Sequence, residues 1–184
     1  MSETDDISAA KERFSRNALW GISIRSSFQR SYIYKKDAND KLKIAFKNEL
    51  QELVFEIVYQ YENGSIDEKT HLSNIDRIKK WTRKFGDLFV DGEMKYGICQ
   101  KLLNVFLKEL WCAGKIQFDP PHLPVDRLIQ EKLKLRPIIN WTQIETEKEY
   151  MGIIERIRRI ADSKDLSLAE IELLAYNDLV EEGK

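Results

Sequence analysis

The groups best placed to do chemistry in this chain lie between Met94 and Leu135, MKYGICQKLLNVFLKELWCAGKIQFDPPHLPVDRLIQEKLKL. Lys101 stands near the head of one amphipathic pattern, and Asp126 stands in the first turn of the next. An amine is a nucleophile once it sheds its proton, and a carboxylate stabilises positive charge that develops at carbon. The ordinary alternatives are a lysine on a wet helix face and an aspartate complementing a helix dipole. His122, after Pro120-Pro121, reads as a turn residue rather than a base. His71 is the other histidine of the two, and there is no HExxH or paired CxxC, so neither zinc nor any other cofactor is expected. G-x-S-x-G and Walker patterns are absent as well.

Two further stretches carry charge. Gly21 to Lys36, GISIRSSFQRSYIYKK, interleaves Arg25, Arg30, Lys35 and Lys36 with Phe28, Tyr32 and Tyr34, and holds no acid. Bases mixed with aromatic rings suit a phosphate backbone and a stacked nucleobase. The alternative is an irregular segment whose rings plug the core while its bases stay in water. Arg77, Lys79, Lys80, Arg83 and Lys84 crowd another helical pattern against one acid, Asp76. That cluster reads either as a phosphate-binding face or as a solvated one.

Gly97-Ile98-Cys99-Gln100-Lys101, followed by Pro124-Val125-Asp126, resembles the core of the helix-hairpin-helix DNA glycosylases. In that family a G-x-G-x-K hairpin leads into a helix that carries a lysine, and P-V-D heads the next helix. Cys99 departs from the pattern at the second glycine, and Leu102-Leu103-Asn104 replaces a run of smaller residues. The resemblance implies an all-α fold with a glycosylase-like core. It implies base excision from DNA, an N-glycosylase with lyase activity through a lysine Schiff base, placing the chain in DNA repair as a hydrolase or lyase. It makes Lys101 the amine and Asp126 the carboxylate. The expected nucleic-acid contacts are Lys95, Gly97 and Gln100 at the hairpin, Arg25 and Arg30 in the basic–aromatic stretch, Arg77, Lys80 and Lys84 on the basic helix, and Arg127 beside the aspartate. The expected partner is double-stranded or damaged DNA. A reading from another class is a non-catalytic helical interaction protein, a component of a small bacterial assembly that meets a protein partner through its apolar faces and four tryptophans.

At 184 residues and 42% hydrophobic, the chain is sized for one helical domain with a sizeable core. A net charge of −1 announces no global affinity for polyanions. Cys99 and Cys112 are expected as reduced thiols of a cytoplasmic protein. No window is apolar for long enough to span a membrane, and the acidic start MSETDDISAAKERF has no apolar h-region, so no signal peptide is expected.

The periodicity is helical almost throughout, predicting about six to seven helices. The first runs over residues 3 to 20 and stops at Gly21, with the basic–aromatic segment to residue 36 packed on it. The second spans Asp37 to Asn63 with Asp40 as cap and Ile44, Leu50, Leu53, Val54, Ile57 and Val58 inside. A third starts at Ser73 or Asn74. The central pair, over residues 94–135, comprises Tyr96 to Ala113 and a helix from Pro124. Thr142 to Glu145 and Ser167 to Glu170 read as capping boxes for the last two.

Overall fold

The structure, a computed structural model, describes residues 3–29 and 32–180. The described residues form seven α-helices and two short 3₁₀ segments, with no strand among them. The helices are α1 (Glu3–Phe28), α2 (Asp40–Glu62), α3 (Glu68–Trp81), α4 (Tyr96–Cys112), α5 (Arg127–Lys132), α6 (Glu147–Asp162) and α7 (Leu168–Tyr176). None is long and apolar enough to cross a membrane.

Helix α4 is the axis of the fold. Every residue from Tyr96 to Leu107 is buried, polar ones included. A helix apolar on one stripe would leave one face wet; α4 is enclosed on all sides. Its main neighbour is α1, and α3, α6 and the 3₁₀ turn Trp141–Gln143 close the remaining sides.

Helix α1 does not stop at Gly21. A helical glycine costs about 1 kcal/mol, and packing on both sides of it outweighs that cost. Trp20 meets Phe106 edge-on at 5.6 Å. Ser23 and Ser27, both fully buried, give their hydroxyls to the carbonyls of Leu19 and Ser23, each at 2.9 Å. Hydroxyls satisfied within their own helix leave a small surface that a neighbour can approach closely. The expected irregular segment is therefore helical up to Phe28. Phe28 and Tyr34 pack on Phe46, whereas Tyr32 is 93% exposed.

Several helix starts differ from expectation because a neighbouring side chain makes the better cap. Asn39, not Asp40, caps α2, accepting from the N–H groups of Lys41 and Leu42. Asp67 caps α3, so that helix opens before Ser73, and Asn74 is a buried donor to the Tyr61 hydroxyl. The box for α6 is Thr146 with Glu149, while Thr142 sits in the 3₁₀ turn. Ser167 with Glu170 caps α7 as predicted. Ile44, expected inside, is exposed.

Candidate active site

The site is built on α4 and the segment that leads into α5. Gln100 is fully buried, and its Nε2 donates to the Val125 carbonyl at 2.8 Å while its Oε1 accepts the Val125 N–H at 3.2 Å. The next residue is Asp126. The helix begins one residue later than Asp126, not at Pro124. Asp126 is its N-cap: Oδ1 accepts the Ile129 N–H at 3.0 Å. Oδ2 is left to face Lys101, whose Nζ donates to it at 3.0 Å. Capping thus fixes one carboxylate oxygen and aims the other.

Lys101 is not a surface lysine. It is 8% exposed, and its ammonium lies 4.3 Å from the centroid of the Trp141 ring. A second buried glutamine holds that ring in place. Gln130 donates to the carbonyls of Asp126 and Ile139 and accepts the Ile139 N–H, tying the chain leading to Trp141 onto α5. Gly97 closes the arrangement. A Cβ there would lie 1.8 Å from the Trp141 carbonyl oxygen, so only glycine lets α4 meet this turn. Its N–H donates to Ile144 O at 3.0 Å.

Lys101 and Asp126 line one cavity of about 300 Å³. Two turns further along α4, Lys108 enters the same cavity and donates to Glu172 Oε1 at 3.0 Å. Burial raises the pKa of Glu172, opposed by Lys108. Ile22 and Ser26 of α1, with Gln29 just past its end, form the wall. Arg25 is exposed on that same helical face, three residues after Ile22. Arg127 and Trp141 are shared with a wider groove of about 950 Å³ that also reaches Tyr32 and Lys95.

Behind the cleft a polar chain crosses the core. His122 is buried, not a turn residue in water: its Nε2 meets Glu68 Oε1 at 2.8 Å and its Nδ1 meets the Tyr150 hydroxyl at 3.0 Å. Glu68 accepts only, so His122 carries its proton on Nε2 and takes the Tyr150 O–H at Nδ1. Asn104 donates to Tyr150 and to Gln100, which links the chain to the Val125 clamp. Burial pushes the His122 pKa down to about 4, with Glu68 opposing.

The other residues expected to contact nucleic acid fall into three groups. Gly97 and Gln100 are buried with their polar groups engaged inside the fold, so the structure does not offer them to a phosphate. The basic cluster is interleaved with acids, all but Asp76 from outside its own helix. Arg77 pairs with Glu56 at 2.8 Å, Lys80 with Asp76 at 2.6 Å and Lys84 with Glu49, while Lys79 and Arg83 share Glu93. It is a neutralised face, because α2 and the loop before α4 supply the carboxylates. Lys95 likewise bonds Glu145 at 2.9 Å. Arg25 and Arg127 stand exposed beside the cleft, Arg127 with Glu131 at 2.7 Å. Arg30 lies outside the described residues.

Sequence reasoning missed Trp141, Gln130 and Glu172. The signal for Glu172 was its register: it stands between Leu168 and Ala175 on a face that is otherwise apolar and buried. Both cysteines are free, Cys99 buried and Cys112 exposed. No family model, curated protein or solved structure matches this chain.

Proposed function

We propose that this chain is a base-excision enzyme on DNA, an N-glycosylase with lyase activity, in which Lys101 is the nucleophile and Asp126 its carboxylate partner. The observation that carries the reading is the 3.0 Å contact between Lys101 Nζ and Asp126 Oδ2 inside a cavity. These two residues, distant in sequence, are the two that the resemblance to helix-hairpin-helix glycosylases singles out.

The chemistry follows from the contact. Asp126 Oδ2 takes a proton from the Lys101 ammonium, and the free amine attacks C1′ of a nucleotide. The Nζ–C1′ bond forms as the glycosidic bond breaks, and the base leaves with the bonding pair and gains one proton. The ring C1′–O4′ bond then opens, its oxygen takes the second Nζ proton, and a C1′=Nζ imine remains. Asp126 passes the proton it took to the departing base and, ionised again, stabilises the positive charge that builds on C1′ and on the protonated imine. Trp141 walls the amine from water on its other side. The hairpin amide of Gly97 is already bonded, so phosphate contacts fall to exposed cations at the mouth, Arg25 and Arg127.

Borohydride trapping on duplex DNA with an abasic or damaged site tests the reading. Hydride reduces the imine to a stable amine, giving a covalent protein–DNA band. The wild type should give that band and Lys101→Ala none. A wild type that gives no adduct with any such duplex ends the enzymatic reading in favour of a helical interaction protein.

A further inference from the structure

Glu172 takes no part in the reaction above, yet its placement is costly. Its side chain is 4% exposed. Oε1 has Lys108, but Oε2 is buried with no hydrogen-bond partner. A carboxylate oxygen shut away from water without a donor is destabilising, and a leucine in its register would remove the problem. The unpartnered oxygen belongs to a residue that lines the same cavity as Lys101 and Asp126.

The cavity has length enough for two subsites. Lys101 and Lys108 are two helical turns apart on α4, about 10 Å. A sugar whose C1′ meets Lys101 therefore has room to extend its base toward Lys108 and Glu172. Tyr176, half-exposed and 4.6 Å from Lys108 Nζ at its ring centroid, lines that end and offers a flat face. An ionised carboxylate only accepts, so the ligand edge must donate. The ammonium beside it only donates, so an adjacent carbonyl on the ligand matches it.

We propose that the Lys108–Glu172 end of the cavity is a base-recognition subsite for an edge that carries a ring N–H beside a carbonyl, as guanine does, in which Glu172 Oε2 accepts the ring N–H and Lys108 faces the carbonyl. This rests on the excision reading, since the base held there is the base released. Glu172 is then a specificity residue and not a participant in bond breaking.

The test uses nucleosides, not turnover. Quenching of tryptophan fluorescence is titrated with 2′-deoxyguanosine, with its N1-methyl derivative and with 2′-deoxynebularine, whose bare N1 accepts rather than donates. Trp141→Phe identifies the signal from the cavity. The wild type should bind deoxyguanosine about tenfold or more tightly than the other two. Glu172→Gln keeps an oxygen for Lys108 and places an N–H₂ where Oε2 was, so its preference should swing to deoxynebularine. Equal affinities in the wild type overturn the subsite whatever the variant does, as does an unchanged preference in Glu172→Gln. Adduct formation without base preference would leave excision standing and remove the subsite. Base preference without adduct formation would do the reverse.

Discussion

Gln100 grips the backbone of Val125 from both sides, donating to its carbonyl and accepting its N–H, and so sets the position of Asp126 one residue on. Gln100→Leu has similar length and can do neither. It strands two buried backbone groups, and the cost should be roughly 3 kcal/mol, since each orphaned group costs about 1–3 kcal/mol and neighbours are not additive. Thermal unfolding should show the loss. At a temperature where the variant is still folded, trapping on abasic DNA should fall at least about tenfold, because a small misplacement of the carboxylate costs that much or more. Undiminished trapping would detach the clamp from the chemistry.

Gly97→Ala should be more damaging than an alanine usually is in a helix. Its Cβ would overlap the Trp141 carbonyl, a backbone atom that cannot swing aside. Either α4 or the Trp141 turn must move, at a cost of about 1–3 kcal/mol or more. A variant as stable as the wild type in urea, where helix propensity alone favours alanine by about 1 kcal/mol, would show that the close approach is not needed.

Asp126→Asn separates charge from capping. Asparagine caps as well as aspartate, so Ile129 keeps its acceptor and stability should change by no more than about 1 kcal/mol. Base release in single turnover should slow by about 100-fold or more, because the charge facing C1′ is gone. Asp126→Ala should lose the cap as well, about 1 kcal/mol. Should the asparagine variant release base at the wild-type rate, Asp126 is a cap and nothing else.

Acid should weaken the fold before carboxylates titrate. Burial lowers His122 from 6.5 to about 4 and lowers His71 in the same direction. Below its unfolded value, His122 binds a proton in the unfolded chain and stays neutral in the fold. Its contribution is therefore complete above about pH 6.5 and is lost as pH falls toward 4, on the order of 3 kcal/mol in all. Around the ring, Glu68 opposes the shift while Arg158 adds to the cost of protonation, and His122 in turn lowers His71. Glu68, itself lowered by His122 and Arg158 against its own desolvation, extends the decline at still lower pH. Urea midpoints between pH 7.5 and 5 report the slope, and a flat profile would place His122 in contact with water.

DNA affinity should depend on the mouth of the cleft and not on the basic helix. Arg25→Glu should weaken binding to an abasic duplex and reduce the salt slope by about one, the mark of a lost phosphate contact. Lys80→Glu, at a residue already paired with Asp76, should change the slope far less. Gel shifts across a salt series distinguish the two. Equal effects would return the basic helix to the interface.

The helical class and the core stripes were legible because burial imposes a period. Leu50, Leu53, Val54, Ile57 and Val58 are all inside, as their spacing demands. Boundaries were less legible, because several side chains compete to cap one helix: Asn39 beside Asp40, and Thr146 beside Thr142. The basic helix misled for a different reason. Its charge is a property of the helix alone, whereas Glu49, Glu56 and Glu93 arrive from elsewhere in the chain. Lys101 and Asp126 were singled out by pattern and do meet in space, but Trp141 was not, since its ring reaches Lys101 only after the loop from α5 folds back.

The pairing of Trp20 with Phe106 has a kinetic consequence. Helix α1 is made before α4, yet the surface it rests on is the centre of α4, and most of a hundred residues must be synthesised in between. Closing a loop of that length costs about 4 kcal/mol of chain entropy, recovered only when α4 is in place to receive the rings and the buried serines. Local pairs such as α2 with α3 can form without waiting. Helix α1 thus leaves the ribosome well before α4 yet is among the last elements to be secured, and the wall that it contributes to the cavity is completed late in folding.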